Sequence, residues 1–213
     1  LDDYAFVIWG LLELYETTFD VKYLKEAIEL QEIQNKYFGD NENSGYFLTA
    51  SDAEKLLTRT KDIYDGAIPS GNSVSLNNLL KLSGLTSNSD YESLASQMSI
   101  SFSDIVNKAP TGATMMLSGV DFALSNSSEI IMVGDENSET TKKVVKNLNR
   151  VFIPNKVVLL KSKSNQNELE EVAPFTKDYE IEDGETNVYV CKNHKCNLPT
   201  KDIKTVFELL NLD

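Results

Sequence analysis

The chain has one histidine, His194, only two cysteines, and 20 lysines and arginines set against 33 aspartates and glutamates. A net charge of -13 leaves no basic surface of the kind that nucleic acid or an anionic membrane requires, so neither is expected as a partner. No apolar run approaches the roughly 20 residues that cross a bilayer. Two cysteines do not make a disulfide scaffold, and a reducing, cytoplasmic setting is the expectation. Glycine signatures for phosphate are missing too. Val133-Gly134-Asp135-Glu136-Asn137 follows an aliphatic run but lacks both Gly-x-Gly-x-x-Gly and a Gly-Lys-Ser/Thr ending, and it puts two acids where a phosphate would sit. No cofactor is expected.

What is present is the composition of a folded protein: 213 residues, 41% hydrophobic and 25% charged, enough for one domain or a domain with a small appendage. The chain starts at Leu1 without Met, and an apolar helical pattern is already running by Phe6, so a piece of a longer polypeptide is expected.

Apolar residues at three- and four-residue steps predict a helix from Asp3 to about Thr17, with Phe6 and Trp9 in the core. Asp20 then caps a second helix to Phe38, whose apolar set is Val21, Leu24, Ala27, Ile28, Ile33 and Tyr37. Their short joint predicts an antiparallel hairpin. After a polar turn, Tyr46-Phe47-Leu48-Thr49 reads as a brief strand. A third helix runs from Pro69 to about Leu82, with Asn72, Ser75, Asn77 and Asn78 as its polar surface. A fourth runs from Ser89-Asp90 to Pro110, and a fifth from Thr111 to Leu124, with Met115 and Met116 in the core. Five helices in paired order predict a helical-hairpin solenoid or toroid.

The pattern changes at Ser125-Asn126-Ser127-Ser128. Ile130 to Gly134 is an aliphatic strand, Ser138 to Phe152 an amphipathic helix, and Lys156 to Leu160 a second strand, which together predict a βαβ unit with parallel strands. This unit is expected to be a structural insertion or contact surface. The polar stretch from Lys161 to Glu170 reads as a solvated loop, Asp183-Gly184 as a turn, Asn187 to Cys191 as a strand, and Thr200 as the cap of a final helix. The divisions are 1–125, 126–190, and 191–213, the last expected to pack back on the helical part.

Cys191-Lys192-Asn193-His194-Lys195-Cys196 supplies three metal-type ligands in a short loop, one fewer than a structural zinc site normally has, and Cys-x4-Cys is not the redox spacing Cys-x2-Cys. Free thiols are the first reading, ahead of a disulfide and of a metal. No zinc is expected.

Leu1-Asp2-Asp3-Tyr4-Ala5-Phe6, Tyr64 to Ser73 (Tyr-Asp-Gly-Ala-Ile-Pro-Ser-Gly-Asn-Ser), Ile153-Pro154-Asn155-Lys156 and Tyr189-Val190-Cys191 together resemble the C-terminal region of the DUF255 proteins, thioredoxin-domain-containing relatives of the spermatogenesis-associated thioredoxin-like proteins. The resemblance implies a fold that is mainly α with a small α/β part. It would be a partial (α/α)6 toroid of paired antiparallel helices related to the six-hairpin glycosidases and sugar epimerases, with a βαβ-containing insertion. It implies that a thioredoxin-like domain and the first half of the toroid lie outside this chain. No complete ring is expected here, and the uncovered first helix should favour self-association.

Related sugar epimerases use His as acid and base, and the sole His194 lies far along the chain, which argues against that chemistry. A carboxylate pair remains. Glycosidases place an acid and a base or nucleophile about 5–9.5 Å apart, and Asp3 and Asp65, with Asp2 as substitute, precede separate helices that could meet at a toroid mouth. Tyr4, Ser70, Asn72 and Ser73 would then bind sugar hydroxyls, and Phe6, Trp9 and Tyr15 could stack on a sugar. Asp2, Asp3 and Ser70 are equally ordinary helix-start residues. Two functions stay open: a non-catalytic binding or scaffold module with a sugar or protein ligand, and a carbohydrate-active toroid.

Overall fold

The computed structural model describes residues 1–125, 127–182, 184–192 and 195–212. The fold is mainly helical with one small mixed sheet. It divides into two units, Leu1–Ser83 with Asn88–Ala123, and Gly84–Ser87 with Leu124–Asp213.

In the first unit, α1 (Asp2–Thr18) and α2 (Val21–Phe38) are separated by two residues. Phe19 takes the left-handed conformation and its N–H returns to Tyr15 O at 2.7 Å, while the Asp20 carboxylate accepts from Lys22 N at 3.1 Å. One residue thus ends a helix and the next begins another, which folds the pair into a hairpin. The buried stripe of α1 is Ala5, Ile8, Leu12 and Tyr15. Phe6 and Trp9, expected in the core, are only half-buried, and the Trp9 indole N–H donates to Glu13 Oε1 at 3.2 Å. An indole keeps its N–H near polar groups, and this partner lies on the exposed side of the helix. Met115 is likewise half-buried, whereas Met116 is in the core.

No strand forms at Tyr46–Thr49; a single bridge, Gly39 to Tyr46, is all the pairing there. The aromatic side chains serve cations instead. The Arg59 guanidinium lies 4.2 Å from the Phe47 ring centre and its Nη2 donates to Tyr37 O at 3.0 Å. Lys61 pairs with Asp40 at 2.6 Å, with side-chain exposures of 16% and 9%. Burial works against the Asp40 charge, but Lys61 and the amides of Asn43 and Glu42 outweigh it and hold the carboxyl down at about 2. A depressed folded value means that the unfolded chain takes up this proton first. The stabilisation is therefore complete above about pH 4 and lost as pH falls from about 4 to about 2. Urea midpoints measured from pH 5 to pH 2 should show a loss of about 1 kcal/mol after allowance for solvent screening, and Asp40→Asn should remove that step. Equal pH profiles for the two proteins would contradict the assignment.

α3 (Gly71–Thr86), α4 (Ser89–Lys108) and α5 (Thr114–Leu124) complete the helical series. Asn88 caps α4, accepting from Asp90 N at 3.0 Å, and Pro110–Gly112 forms a single 3₁₀ turn that delays α5 by three residues from the expected Thr111. Tyr91 of α4 donates to Glu32 of α2 at 2.9 Å; burial, then this carboxylate, pushes its phenol up. Among the described residues the helices do not close into a ring.

The second unit runs β1 (Ser128–Gly134), α6 (Glu139–Leu148), β2 (Lys156–Lys161), α7 (Gln166–Val172), β3 (Thr186–Lys192), β4 (Lys195–Cys196) and α8 (Ile203–Leu209). The sheet order is β2-β1-β3-β4. β1 and β2 are parallel, Ile130 facing Val158, as the βαβ reading expects, and β3 runs antiparallel on the other side of β1, Ile130 facing Val190. Ile130 to Val133 are all buried, the mark of a strand covered on its two faces.

Four expectations fail here. The Lys161 to Glu170 stretch is not a solvated loop: Lys161 ends β2 with 3% exposure, Ser162 is buried, and α7 begins at Gln166. The helix after Ser138 stops at Leu148, and Phe152 is exposed. Asp202, not Thr200, caps the last helix, accepting from Thr205 N at 3.2 Å, because the Thr200 backbone is occupied in a bridge to Val188. Cys191 and Cys196 are not free thiols but a disulfide, since the β3–β4 register sets them directly opposite one another. His194 and Asp183 lie outside the described residues.

Candidate functional site

α3 is buried on nearly every side, although Asn72, Ser75 and Asn78 read as its polar surface. The polar residues are inside because each has a hydrogen-bond partner on another segment, a backbone group for the asparagines and a side chain for Ser75. The Asn72 carboxamide accepts from Tyr46 N at 2.8 Å and donates to Tyr46 O and Asp62 O, each at 2.9 Å. Asn78 donates to Ala5 O of α1 at 2.8 Å, and Asn77 to Met115 O of α5 at 3.0 Å. Ser75 accepts from Gln34 Nε2 of α2 at 3.0 Å and donates to Gly71 O at 2.6 Å. One helix is thereby tied to α1, α2, α5 and the long connection.

Asp65 belongs to the same construction. Its N–H donates to Gly112 O at 2.7 Å; Oδ1 accepts from Ser70 N at 2.9 Å, and Oδ2 from Met115 N and Met116 N at 2.7 and 3.2 Å. One carboxylate thus serves the start of α5 and the approach to α3. Ser70 caps α3 by accepting from Ser73 N at 3.2 Å, and its hydroxyl donates to Ser73 Oγ at 2.9 Å. Asp65, Ser70, Asn72 and Ser73 are all buried in this hub. Asp3 is on the exposed first turn of α1, and Tyr4 is half-buried with its ring centre 5.4 Å from that of Phe38. Asp2 is the acid that reaches the hub: a Cβ at position 71 would collide with its carboxylate and come within 2.8 Å of Leu1 Cγ, so Gly71 is needed for that approach.

Gln31, Gln34, Asn35 and Tyr46 complete the network, and apolar periodicity does not find them. The Tyr46 hydroxyl donates to Asn35 Oδ1 at 2.6 Å and accepts from Gln31 Nε2 at 3.2 Å, and burial pushes its phenol up. A signal did exist: Val21, Leu24, Ala27, Gln31, Gln34 and Phe38 form one helical stripe, in which only the glutamines are polar.

The second unit carries a cleft of about 310 Å³ at the carboxyl ends of β1 and β2, lined by Gly134, Asp135, Glu136, Ser162, Ser164 and Glu182 among others. The Glu136 carboxylate accepts from the Ser162 hydroxyl at 2.6 Å and from Ser164, and these two bonds, Ser162 first, hold it below its ordinary value. Its three acids, Asp135, Glu136 and Glu182, outnumber its one lysine, Lys163, a balance that disfavours phosphate. Gly134 is explained by the backbone: its φ of 155° and the close passage of Thr186, whose Cα would lie 2.7 Å from a Cβ here, require glycine. Among the described residues no group of acids, histidines and cysteines is arranged to hold a metal ion.

No family model matches the chain. Among curated proteins it is similar to spermatogenesis-associated protein 20 of Homo sapiens, 34% identical over 212 residues, and of Mus musculus, 32% identical over 212 residues; each match covers 99% of this chain and 27% of the relative. An uncharacterised protein of Caenorhabditis elegans is 33% identical over 211 residues, 99% of this chain and 28% of its own length. This is distant homology, over most of the chain, to the spermatogenesis-associated, DUF255-type thioredoxin-domain proteins. The chain spans about a quarter of the length of these relatives.

Proposed function

We propose, starting from that homology, that the chain is a non-catalytic binding or scaffold module of a larger thioredoxin-domain protein, its helices forming part of an (α/α)6 toroid of the six-hairpin glycosidase type. The observation that supports this reading is the Asp65 carboxylate, whose two oxygens are taken up by three backbone amides. A general acid or base needs an oxygen within reach of the substrate proton. Asn72 and Ser73 are likewise occupied with backbone and neighbouring hydroxyl groups rather than aimed at a ligand. The cytoplasmic setting stays part of the proposal, with the Cys191–Cys196 disulfide counted among the exchangeable ones that a reducing compartment allows. So does self-association: Val7 and Leu14 expose 51% and 44% of their surface on one face of α1, with Gly10 open between them.

One preparation tests the reading. Calorimetric titration with mono- and disaccharides should give no saturable heat up to about 10 mM, a range that would detect binding as weak as about -4 kcal/mol. Sedimentation should show association that tightens with salt, because repulsion between acidic copies is screened. Saturable sugar binding that Asp65→Asn abolishes without lowering the melting temperature would support the carbohydrate-active alternative instead. A strict monomer at about 100 μM in high salt would remove self-association, since an exposed apolar face should be covered there.

A further inference from the structure

The two sulfurs of the Cys191–Cys196 disulfide are unequal. Cys191 is fully buried in β3, whereas Cys196 is exposed on the two-residue edge strand β4. We propose that this disulfide is an exchangeable latch, opened by attack of an external dithiol on Cys196 Sγ, and that opening it loosens the edge segment from Lys195 to Thr200.

Among the described residues only a few other bonds hold the segment. Beyond the disulfide, Lys195 pairs with Lys192, Asn197 N and Nδ2 both donate to Val190 O at 3.1 and 3.3 Å, and Val188 and Thr200 exchange two backbone bonds at 2.9 and 3.0 Å. The register Cys191 to Cys196 becomes Val188 to Thr200, so one extra residue bulges out between them, in the stretch containing Pro199 and an 88% exposed Leu198. Proline has no N–H to add to the ladder. The disulfide therefore carries much of the constraint on an edge that is otherwise thinly bonded.

Access selects the sulfur. A thiolate reaches Cys196 Sγ from solvent but not the buried Cys191 Sγ. Attack forms a mixed disulfide between the reagent sulfur and Cys196; the Cys191–Cys196 bond breaks, and its electron pair leaves on Cys191 Sγ, which takes up a proton. The second thiolate of the reagent then attacks the reagent sulfur of the mixed disulfide, and Cys196 departs as thiolate. Two electrons pass from the dithiol, which becomes a disulfide, to the protein, which becomes a dithiol. The Tyr179 hydroxyl, donating to Cys196 Sγ at 3.6 Å, is in place to stabilise that departing thiolate.

The test begins with glutathione, a monothiol with no second thiol of its own to resolve the mixed disulfide, which the acid quench then traps. Native protein is treated with glutathione, quenched with acid, alkylated and mapped by peptide mass. The mixed disulfide should be on Cys196 and the alkyl group on Cys191, by about tenfold or more. Equal labelling of the two, or a native disulfide that survives about 10 mM dithiothreitol for hours while the urea-unfolded chain is reduced, would overturn the proposal. Hydrogen exchange on the reduced protein reads the latch without any substitution. The amides of Asn197 and Thr200 should exchange about tenfold faster while those of Ile130 to Met132 keep their rate. Unchanged exchange at Asn197 and Thr200, or equal acceleration in β1, would show that the disulfide does not act as a local latch.

Discussion

Replacing Asn72 by Ala is expected to lower the unfolding free energy by about 3 kcal/mol, a large share of the 5–15 kcal/mol that a domain typically has. The side chain is fully buried and makes three hydrogen bonds of 2.8 to 2.9 Å, one accepted and two donated. Alanine leaves one amide and two carbonyls without these partners in the interior, each costing about 1 kcal/mol or more, and opens a cavity besides. Asn72→Asp should be worse than Ala despite its matching shape, because it turns a carboxylate oxygen toward the carbonyls of Tyr46 and Asp62. Urea unfolding with an unchanged m-value would measure it. A loss below about 1 kcal/mol for Ala would mean that the long connection closes without this carboxamide.

Lys161→Met should cost the protein about 3 kcal/mol in thermal unfolding. The ammonium is satisfied inside the second unit by Thr176 O at 2.7 Å, Tyr179 O at 2.8 Å and Glu170 Oε1 at 2.8 Å. Methionine keeps the length of the stem and isolates the loss of the charged head. Glu170 retains 26% exposure and can regain water, which places the cost at the lower end of the range for breaking a buried pair. Glu170→Gln should cost only about 1 kcal/mol, since an amide oxygen still accepts from the lysine. A glutamine cost equal to that of Lys161→Met would show that the ion pair, rather than the two carbonyls, holds the segment between α7 and β3.

These two residues also mark where the sequence stops being legible. The first, second and fourth helices are readable because their buried residues recur at helical spacing, and β1 and β2 because uninterrupted aliphatic runs have few alternatives. α3 is readable as a helix, but not as the centre of its unit. A count of apolar residues assigns asparagine and serine to the surface, and only distant partners reverse that, the backbone at Ala5, Tyr46, Asp62 and Met115 for the asparagines and the Gln34 side chain for Ser75. Lys161 fails in the same way: its partners on Glu170, Thr176 and Tyr179 exist only once α7 has folded. At seven residues, that helix is too short for periodicity to reveal. The disulfide is invisible until β3 and β4 are in register. The stretch from Asp65 to Ser73 stands out in the sequence because it is polar and glycine-bearing, but burial of those groups does not follow from their types.

The central helix also bears on how the first unit assembles. Gly71, Asn72, Ser73, Ser75, Asn77 and Asn78 are poor helix formers in their own right, so α3 gains little from local preference. Its bonds join residues far apart in the chain, 73 positions for Asn78 and Ala5 and 38 for Asn77 and Met115, so loop-closure entropy is spent before any of them forms. Such a helix is expected to consolidate late, after the hairpin of α1 and α2 has given it a surface to settle on, and mutations in it should then speed unfolding more than they slow folding. Cutting the chain between α4 and α5 would strand it without Met115, and the remaining helices would surround an unsatisfied core.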